Sequence, residues 1–228
     1  MSLKKIELLS ILKAYPLFTF NDFVKITGKG SNYCHLLISR LKKESLIFAI
    51  EKGKYTVYED PLIYSSHIYA PSYISYWSAL RFHNLTTQLP KDIFIAVPES
   101  KKSMTVNNKR LIFVKTKHFF GYEKTNYAGL SIYVADEEKA IIDSLVAKNV
   151  PFDELREAMA ESGLDYKRLS DYALKTKNKT LIKRIGYLLK DKAAAQPLYD
   201  FIKKDMNYIP LDWSKPGRAK NKRWKVMV

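Results

Sequence analysis

Apolar residues recur at helical spacing in three successive stretches at the start of the chain, and a β-type stretch follows them. The spacing predicts helices over residues 3–14, 19–27 and 31–44. Thr19 is suited to cap the second helix, and Gly28 is suited to end it. The segments LIFAI and KYTVY predict a hairpin over residues 46–58. Three short helices followed by a hairpin are the pattern of a winged helix-turn-helix domain.

The third predicted helix has a buried face and a polar outer face. Its apolar positions, which must pack on the first two helices, are Cys34, Leu37, Ile38 and Leu41. Leu36 is the apolar member of the outer face, and it either touches a thymine methyl group or packs on a neighbour. The candidate DNA-binding residues of the turn, the helix and the wing are Lys29, Ser31, Asn32, Tyr33, His35, Ser39, Arg40, Lys42, Lys43, Lys52 and Lys54.

Short polar side chains, a histidine and bases on one helix face suit the major groove of DNA. Asn can recognise adenine edges, and Arg and Lys bind guanine or phosphate. Lys52 and Lys54 of the predicted wing are placed to reach phosphates. Two other interpretations remain open: the face is a solvated surface, or the domain binds another protein.

A different order of elements begins after residue 70. Ser72 is suited to cap a helix that Asn84 ends, and Asp92–Val97 predicts a strand. Residues 101–108 are turn-like, and further strands are predicted over residues 110–115, 117–122 and 130–134. Asp136 is suited to cap a helix, and more helices are predicted over about residues 152–162, 165–176, 178–190 and 195–204, before a closing strand in RWKVMV. A small mixed sheet followed by helices is an α+β layout.

The predicted organisation has two domains. Residues 1–58 form the winged helix-turn-helix domain, residues 59–70 connect, and residues 71–228 form the larger α+β domain. The net charge of +16 favours a polyanionic partner, most often nucleic acid, over a merely lysine-rich surface. Residues 1–58 carry ten Lys or Arg against four Asp or Glu, and residues 151–228 carry eighteen against ten, so the excess lies at the two ends.

The cysteine content and hydropathy predict a cytoplasmic protein without a membrane partner. Cys34 is the single cysteine, so no disulfide forms within one chain. No run approaches the roughly 18 apolar residues of a membrane span. The N-terminus lacks a small-residue cleavage site, and Glu7 interrupts its apolar stretch, so a signal peptide is not expected.

Residues with catalytic or metal-binding chemistry do not form a recognisable motif. The four histidines lack the i, i+4 spacing of a helical metal pair, and one cysteine cannot build a zinc cluster. Asp143 follows Lys139 at i+4 and is interpreted as an ordinary surface pair. The densest acidic set, which a degenerate nuclease could use together with Lys115, is Asp136, Glu137, Glu138 and Asp143. We therefore expect no metal, no cofactor and no enzymatic activity.

A basic run with interleaved tryptophans closes the chain. Bases with aromatic residues suit nucleic acid, including RNA. The alternative is a solvated tail in which Trp224 fixes a final strand, and this is the preferred role for Trp224. The candidate second surface for nucleic acid or a partner is Lys215, Arg218, Lys220, Lys222, Arg223 and Lys225.

Four segments after Tyr73, in order, carry a resemblance to a known family. They are SYWSALRFHNLTTQLP, DEEKAIIDSL, RIGYLL and the ending NYIPLDWSKPG…NKRWKV. They resemble the AbiEi-type antitoxins, which are transcriptional regulators of abortive-infection toxin–antitoxin pairs in phage defence. Asn84 stands where the family is expected to have Gly, and both residues suit a helix end.

The resemblance implies a DNA-binding antitoxin that represses its own operon through inverted repeats in the promoter. The implied protein partner is a cognate nucleotidyltransferase toxin, and the expected state is a monomer or weak dimer with cooperative DNA binding. Gly30-Ser31 is interpreted as the turn of the helix-turn-helix and not as a transferase motif, because the paired carboxylates are missing. Two alternatives stand beside this prediction: a nucleic-acid-processing enzyme with a winged-helix targeting domain, and a transcription factor that senses a ligand.

Overall fold

A computed structural model of the chain describes residues 5–160, 163–190 and 192–228. Both helices and strands occur in these residues, partly in separate stretches, and the α+β class is confirmed. The predicted first turn at Leu3 and the predicted helical residues 161–162 lie outside the described residues. Within the described chain, none of the helices is both long enough and apolar enough to cross a lipid bilayer.

The N-terminal part consists of three helices and a three-stranded antiparallel sheet. Its elements are α1 (Lys5–Leu12), β1 (Phe18–Thr19), α2 (Phe20–Thr27), α3 (Ser31–Lys43), β2 (Phe48–Glu51) and β3 (Lys54–Thr56), and the strand order is β1-β3-β2. Thr19 and Asp22 form a reciprocal capping box at the start of α2. Gly28 ends α2 in the left-handed conformation, with φ 62°, so both predicted ends of this helix are confirmed.

A six-stranded mixed sheet forms the centre of the chain. The elements are α4 (Pro61–Tyr64), β4 (Tyr73–Ile74), α5 (Tyr76–Phe82), β5 (Asp92–Val97), β6 (Met104–Val106), β7 (Lys109–Lys115), β8 (Tyr122–Tyr127) and β9 (Leu130–Ala135). The strand order is β6-β7-β5-β4-β9-β8, with β5 parallel to β7 and β4 antiparallel to β5.

Helices dominate the last part of the chain. They are α6 (Glu137–Ala147), α7 (Phe152–Ala158), α8 (Tyr166–Thr176), α9 (Lys179–Leu189) and α10 (Gln196–Ile202). Three two-residue strands follow, β10 (Ile209–Pro210), β11 (Lys220–Asn221) and β12 (Val226–Met227), in the order β10-β12-β11. The predicted closing strand is therefore present, and Asp136 caps α6 as predicted.

The described residues group into two compact units that are discontinuous in sequence. Unit 1 contains the residues up to Ile74 with Lys91–Lys115 and Lys124–Val134, and unit 2 contains the remainder. These units do not coincide with residues 1–58 and 71–228. The residues predicted as a connector contribute Tyr64 and Ile68 to a buried cluster of unit 1 that also holds Ile95 and Leu111.

Three local predictions between residues 70 and 130 were wrong. Ser72 does not cap a helix, because its Oγ donates to the carbonyl of Ser66 at 2.9 Å and α5 begins only at Tyr76. Residues 117–122 are not a strand of their own, since β8 starts at Tyr122. The polar segment 101–108 contains β6, which pairs antiparallel with β7. Asn84, in contrast, adopts φ 58° at the end of α5, as its place in the pattern predicts.

Candidate nucleic-acid interface

The packing of α3 fixes which of its side chains face outward. Cys34, Ile38 and Leu41 are buried in a cluster with residues of α1, β1 and α2. The Cys34 Sγ lies 3.2 Å from the Thr27 Oγ1 at the end of α2. Because the turn between α2 and α3 has only three residues, 28–30, this packing sets the angle at which α3 leaves the unit.

The outer face of α3 is exposed and basic. All its predicted DNA-binding residues are solvent-exposed: Ser31, Asn32, Tyr33, His35, Ser39, Arg40, Lys42 and Lys43. Lys29 in the preceding turn is exposed as well. The helix contains no acidic residue, and Glu44, which follows it, forms an ion pair with Lys5 of α1. The face therefore presents positive charge and hydrogen-bonding groups without a nearby free carboxylate on the same helix.

Phe20 connects α3 with the turn between β2 and β3, a contact that the sequence pattern did not reveal. Its ring stacks on the imidazole of His35, with the ring centres 4.1 Å apart and the planes 17° from parallel. Its backbone N–H donates to the carbonyl of Gly53 in that turn at 2.9 Å. One residue at the start of α2 therefore contacts both the outer face of α3 and the turn between β2 and β3. No sequence signal shows this pairing, because the two contacts join separate elements.

The two lysines of the predicted wing differ in their surroundings. Lys52 is exposed beside Gly53, whose φ of 79° makes the tight turn. The Lys54 Nζ instead donates to the carbonyl of Ile68 at 2.6 Å and pairs with the Glu51 carboxylate at 2.8 Å. Of the two lysines, Lys52 has the side chain available for a phosphate.

The start of α3 leaves room for an anion. Gly30 precedes the helix and provides no side-chain cap for the amides of the first turn. Amides at the start of a helix are not satisfied within the helix and favour negative charge. Together with Lys29, they extend the basic surface by one turn.

The acidic segment DEEKAIIDSL is occupied by internal bonds of unit 2. Asp136 accepts hydrogen bonds from the Lys139 amide at 2.7 Å and the Tyr172 hydroxyl at 2.8 Å. Glu138 accepts from the Asp165 amide at 2.7 Å, and burial raises the pKa of its carboxyl. The carboxylates do not converge on one point, and no group of three or more His, Cys, Asp or Glu side chains suited to a metal occurs within the described ranges.

Lys139 and Asp143 are buried, so their interpretation as a surface pair was wrong. Their side chains are 0% and 2% exposed, and they form an ion pair along α6. The Asp143 Oδ2 also accepts from the Ser75 hydroxyl at 2.7 Å, and the Lys139 Nζ lies 4.7 Å from the centre of the Phe120 ring. Burial lowers the pKa of the Lys139 amine, while Asp143 opposes that shift.

The C-terminal basic run is folded. Trp224 is 3% exposed and lies against Gly186 of α9, so its structural role is confirmed. Lys220 and Lys225 approach the Tyr208 ring at 5.4 and 5.7 Å, and Lys215 pairs with Asp153 at 2.8 Å. The side chains of Arg218, Lys222 and Arg223 are exposed.

A pocket of about 370 Å³ lies in unit 1 beside α1. Its lining is mostly apolar and includes Leu9, Leu46, Phe48 and Val57. Glu59 and Lys13 are the charged residues of the lining. The volume of the pocket falls in the size range of small-molecule sites.

Comparison with known proteins gives no relative. No family model matches the chain, and no curated protein is significantly similar to it.

The four segments that carry the resemblance meet in two pairs within unit 2. Ser75 of the first segment bonds Asp143 of the second. Arg184 of RIGYLL donates to the carbonyls of Leu211 and Pro210 in the ending at 3.0 and 3.1 Å. A Cβ on Gly186 would lie 2.0 Å from the Trp224 ring, so that position requires glycine. These segments hold unit 2 together, and the candidate DNA-binding residues lie outside them.

Proposed function

We propose that this protein is a sequence-specific DNA-binding regulator that represses its own operon and acts as the antitoxin of a toxin–antitoxin pair. The outer face of α3 is the single observation that carries the DNA-binding part. It combines exposed Asn32, His35 and Ser39 with Arg40 and Lys43, and it has no acidic residue. This mixture of base-recognising and phosphate-binding groups is what a major groove requires.

The arrangement of elements supports a winged helix-turn-helix as the binding module. The order α1, β1, α2, α3, β2, β3 and the three-residue turn between α2 and α3 match that type of domain. In this proposal α3 enters the major groove, and Lys52 contacts a phosphate beside it. Phe20 supports that geometry because it contacts both His35 and the wing turn.

The antitoxin part of the proposal rests on the resemblance of the four segments to AbiEi-type antitoxins. In unit 2 those segments build the fold, and the acidic side chains of DEEKAIIDSL are occupied by capping and ion-pair contacts. Such contacts favour a structural role for these carboxylates over metal-dependent catalysis. The proposed toxin is a nucleotidyltransferase encoded beside this chain, and inverted repeats in the promoter are the proposed operator.

DNA binding is tested with the full chain on the DNA upstream of its own gene and on a shuffled duplex of equal length. Asn32→Ala should lose about 1–3 kcal/mol of binding free energy on the upstream fragment and little on the shuffled one. Lys52→Ala should weaken both, and it should reduce the slope of log K against log salt by about 0.9. Lys167→Ala on α8, which also removes the charge of an exposed lysine, is the control.

Equal affinity of the wild-type chain for upstream and shuffled DNA contradicts the proposed repressor. The antitoxin part has its own readout, which is growth of cells that express the neighbouring nucleotidyltransferase. The wild-type chain and Asn32→Ala should both restore growth when a foreign promoter drives them, because Asn32 lies outside the four segments. Failure of the wild-type chain to restore growth rejects the antitoxin part alone.

A ligand-responsive transcription factor is the second candidate function, and the pocket beside α1 is the observation that favours it. The two candidates predict different effects of Leu46→Trp, which fills the pocket. A ligand sensor loses its response to cell metabolites in a promoter-fusion assay, whereas an antitoxin keeps both repression and protection.

A further inference from the structure

Leu36 occupies the centre of the outer face of α3. At 100° per residue it lies roughly 200° around the helix from buried Cys34. Its side chain is 61% exposed, although every other residue near the centre of the face is polar. Asn32 precedes it by one turn, and Ser39 and Arg40 follow it by one turn. An apolar side chain here adds nothing to the core of unit 1, whose α3 members are Cys34, Ile38 and Leu41.

The charges around Leu36 indicate which partner covers it. Arg40, Lys42 and Lys43 lie on the same helix, and Lys29 lies in the turn before it. A partner that buries Leu36 must therefore carry negative charge and an apolar group at its surface. The major groove of DNA has both, because phosphates line it and the 5-methyl group of thymine is its characteristic apolar group.

We propose that Leu36 recognises the 5-methyl group of a thymine within two base pairs of an adenine contacted by Asn32. The inference rests on the proposed DNA-binding function and names the bases that the face selects. The four steps from Asn32 to Leu36 cover about 6 Å along the helix at 1.5 Å per residue. That length corresponds to about two base steps of 3.4 Å, so Leu36 reaches a base pair within two steps of the one that Asn32 contacts.

The Phe20–His35 stack supports the specificity of this contact. His35 precedes Leu36, and its ring is held against Phe20 at 4.1 Å. The stack restrains α3 against rotation about its axis, and such rotation would move Leu36 away from a base edge. Phe20 is thus a positioning residue, and Leu36 is the residue that touches the base.

The test removes only the methyl group from the DNA. The full chain is titrated against its upstream fragment made with thymidine and against the same fragment made with deoxyuridine. The wild-type chain should bind the deoxyuridine fragment about four-fold more weakly for each contacted methyl group. Leu36→Ala should bind the thymidine fragment more weakly than the wild-type chain does, by the same factor. Replacing thymidine by deoxyuridine should then reduce the affinity of this variant no further.

Two controls separate methyl recognition from other effects. Leu89→Ala removes an equally large, 75% exposed side chain outside the face, and this variant should behave as the wild-type chain does on both fragments. Because Leu36 is largely exposed, Leu36→Ala should unfold at the wild-type temperature, so a loss of binding is not a loss of fold.

Each other outcome decides against the inference in a distinct way. If the wild-type chain prefers its upstream DNA but binds both fragments equally, the methyl contact is rejected and the proposed function stands. If Leu36→Ala and the wild-type chain lose equally on deoxyuridine, another residue contacts the methyl group. If Leu36→Ala leaves DNA binding unchanged but alters self-association, Leu36 belongs to a protein interface. No preference for upstream DNA rejects the proposed function and this inference together.

Discussion

Two lysine–aspartate pairs in unit 2 have the same sequence spacing and different surroundings. Lys139–Asp143 lies on α6 and Lys167–Asp171 on α8, and each pair joins residues four apart. The first pair is 0% and 2% exposed, and the second is 85% and 57% exposed. The spacing of charges along a helix predicts that they meet, but it does not predict whether water reaches them.

The neighbours of each pair account for the difference. On α6 the residues Ala140, Ile141, Ile142 and Leu145 surround the helix with apolar groups, so the helix is buried on nearly every side. On α8 the buried residues follow one stripe, Leu169, Ser170 and Ala173, and leave the other side to solvent. The apolar residues on both sides of Asp143 were the sequence signal for burial.

The largest effect is expected when the buried pair loses its negative member. Asp143→Asn keeps the shape of the side chain and leaves the buried Lys139 charge without its paired carboxylate. Removing one partner of a buried ion pair destabilises a protein by about 3–5 kcal/mol. Urea unfolding followed by tryptophan fluorescence measures this change in the free energy of unfolding, because Trp77, Trp213 and Trp224 all lie in unit 2. A loss below about 1 kcal/mol, typical of an exposed pair, contradicts the burial of this pair.

The pH dependence of that loss follows from the lowered pKa of the Lys139 amine. The folded state releases this proton more readily than the unfolded state, whose lysine has the ordinary pKa of 10.5. Between the folded and the unfolded pKa the unfolded chain binds more protons, so stability rises with pH. Neutral lysine needs no counter-charge, and the difference between wild type and Asp143→Asn should therefore shrink as the pH approaches 10.5.

Unfolding curves at several alkaline pH values, taken for both chains, give this difference directly. The subtraction removes tyrosines whose raised pKa does not involve Asp143; Tyr172 is one of them, because burial and Asp136 raise its pKa. Tyr76 is an exception, since Asp143 adds to the rise in its pKa that burial causes, so the curves are compared below about pH 10, where tyrosine keeps its proton. A difference that stays constant or grows with pH contradicts the buried lysine as its origin.

Ser75 is the third member of the buried network and should give an intermediate effect. Its hydroxyl donates to the Asp143 Oδ2 at 2.7 Å, and its side chain is fully buried. A hydrogen bond to a charged group contributes about 1.5–3 kcal/mol, so Ser75→Ala should cost about that much. A double-mutant cycle with Asp143→Asn checks the contact, since the two losses should not add when the groups interact. Additive losses mean that Ser75 acts through packing alone.

The capping and turn residues of the fold were predictable from the sequence, and the long-range contacts were not. Thr19, Gly28 and Asp136 act through neighbouring backbone groups, so their local sequence predicts their roles. The outer face of α3 was predictable for the same reason, because helical periodicity alone places Cys34 and Asn32 on opposite faces.

Contacts between distant elements account for what the sequence did not show. Ser72 was expected to cap a helix and instead bonds Ser66. Lys54 donates to the carbonyl of Ile68, a contact that the sequence did not show. The stack of Phe20 on His35 joins two helices whose relative angle no local pattern gives. In the candidate site, the exposure of the outer residues of α3 was therefore predictable, and the supporting contacts needed the structure.

The smallest loss of stability is expected at the exposed pair, Lys167–Asp171. This loss decides whether burial or sequence spacing determines the strength of such ion pairs. Asp171→Asn removes the same charge at the same i+4 spacing as Asp143→Asn. Because both side chains are mostly in water, solvent and salt screen their attraction, and such pairs contribute about 0.3–0.5 kcal/mol. The loss should fall further in 1 M salt, whereas the loss in Asp143→Asn should persist. If both substitutions cost the same in the tryptophan-monitored unfolding, spacing and not burial determines the strength of these pairs.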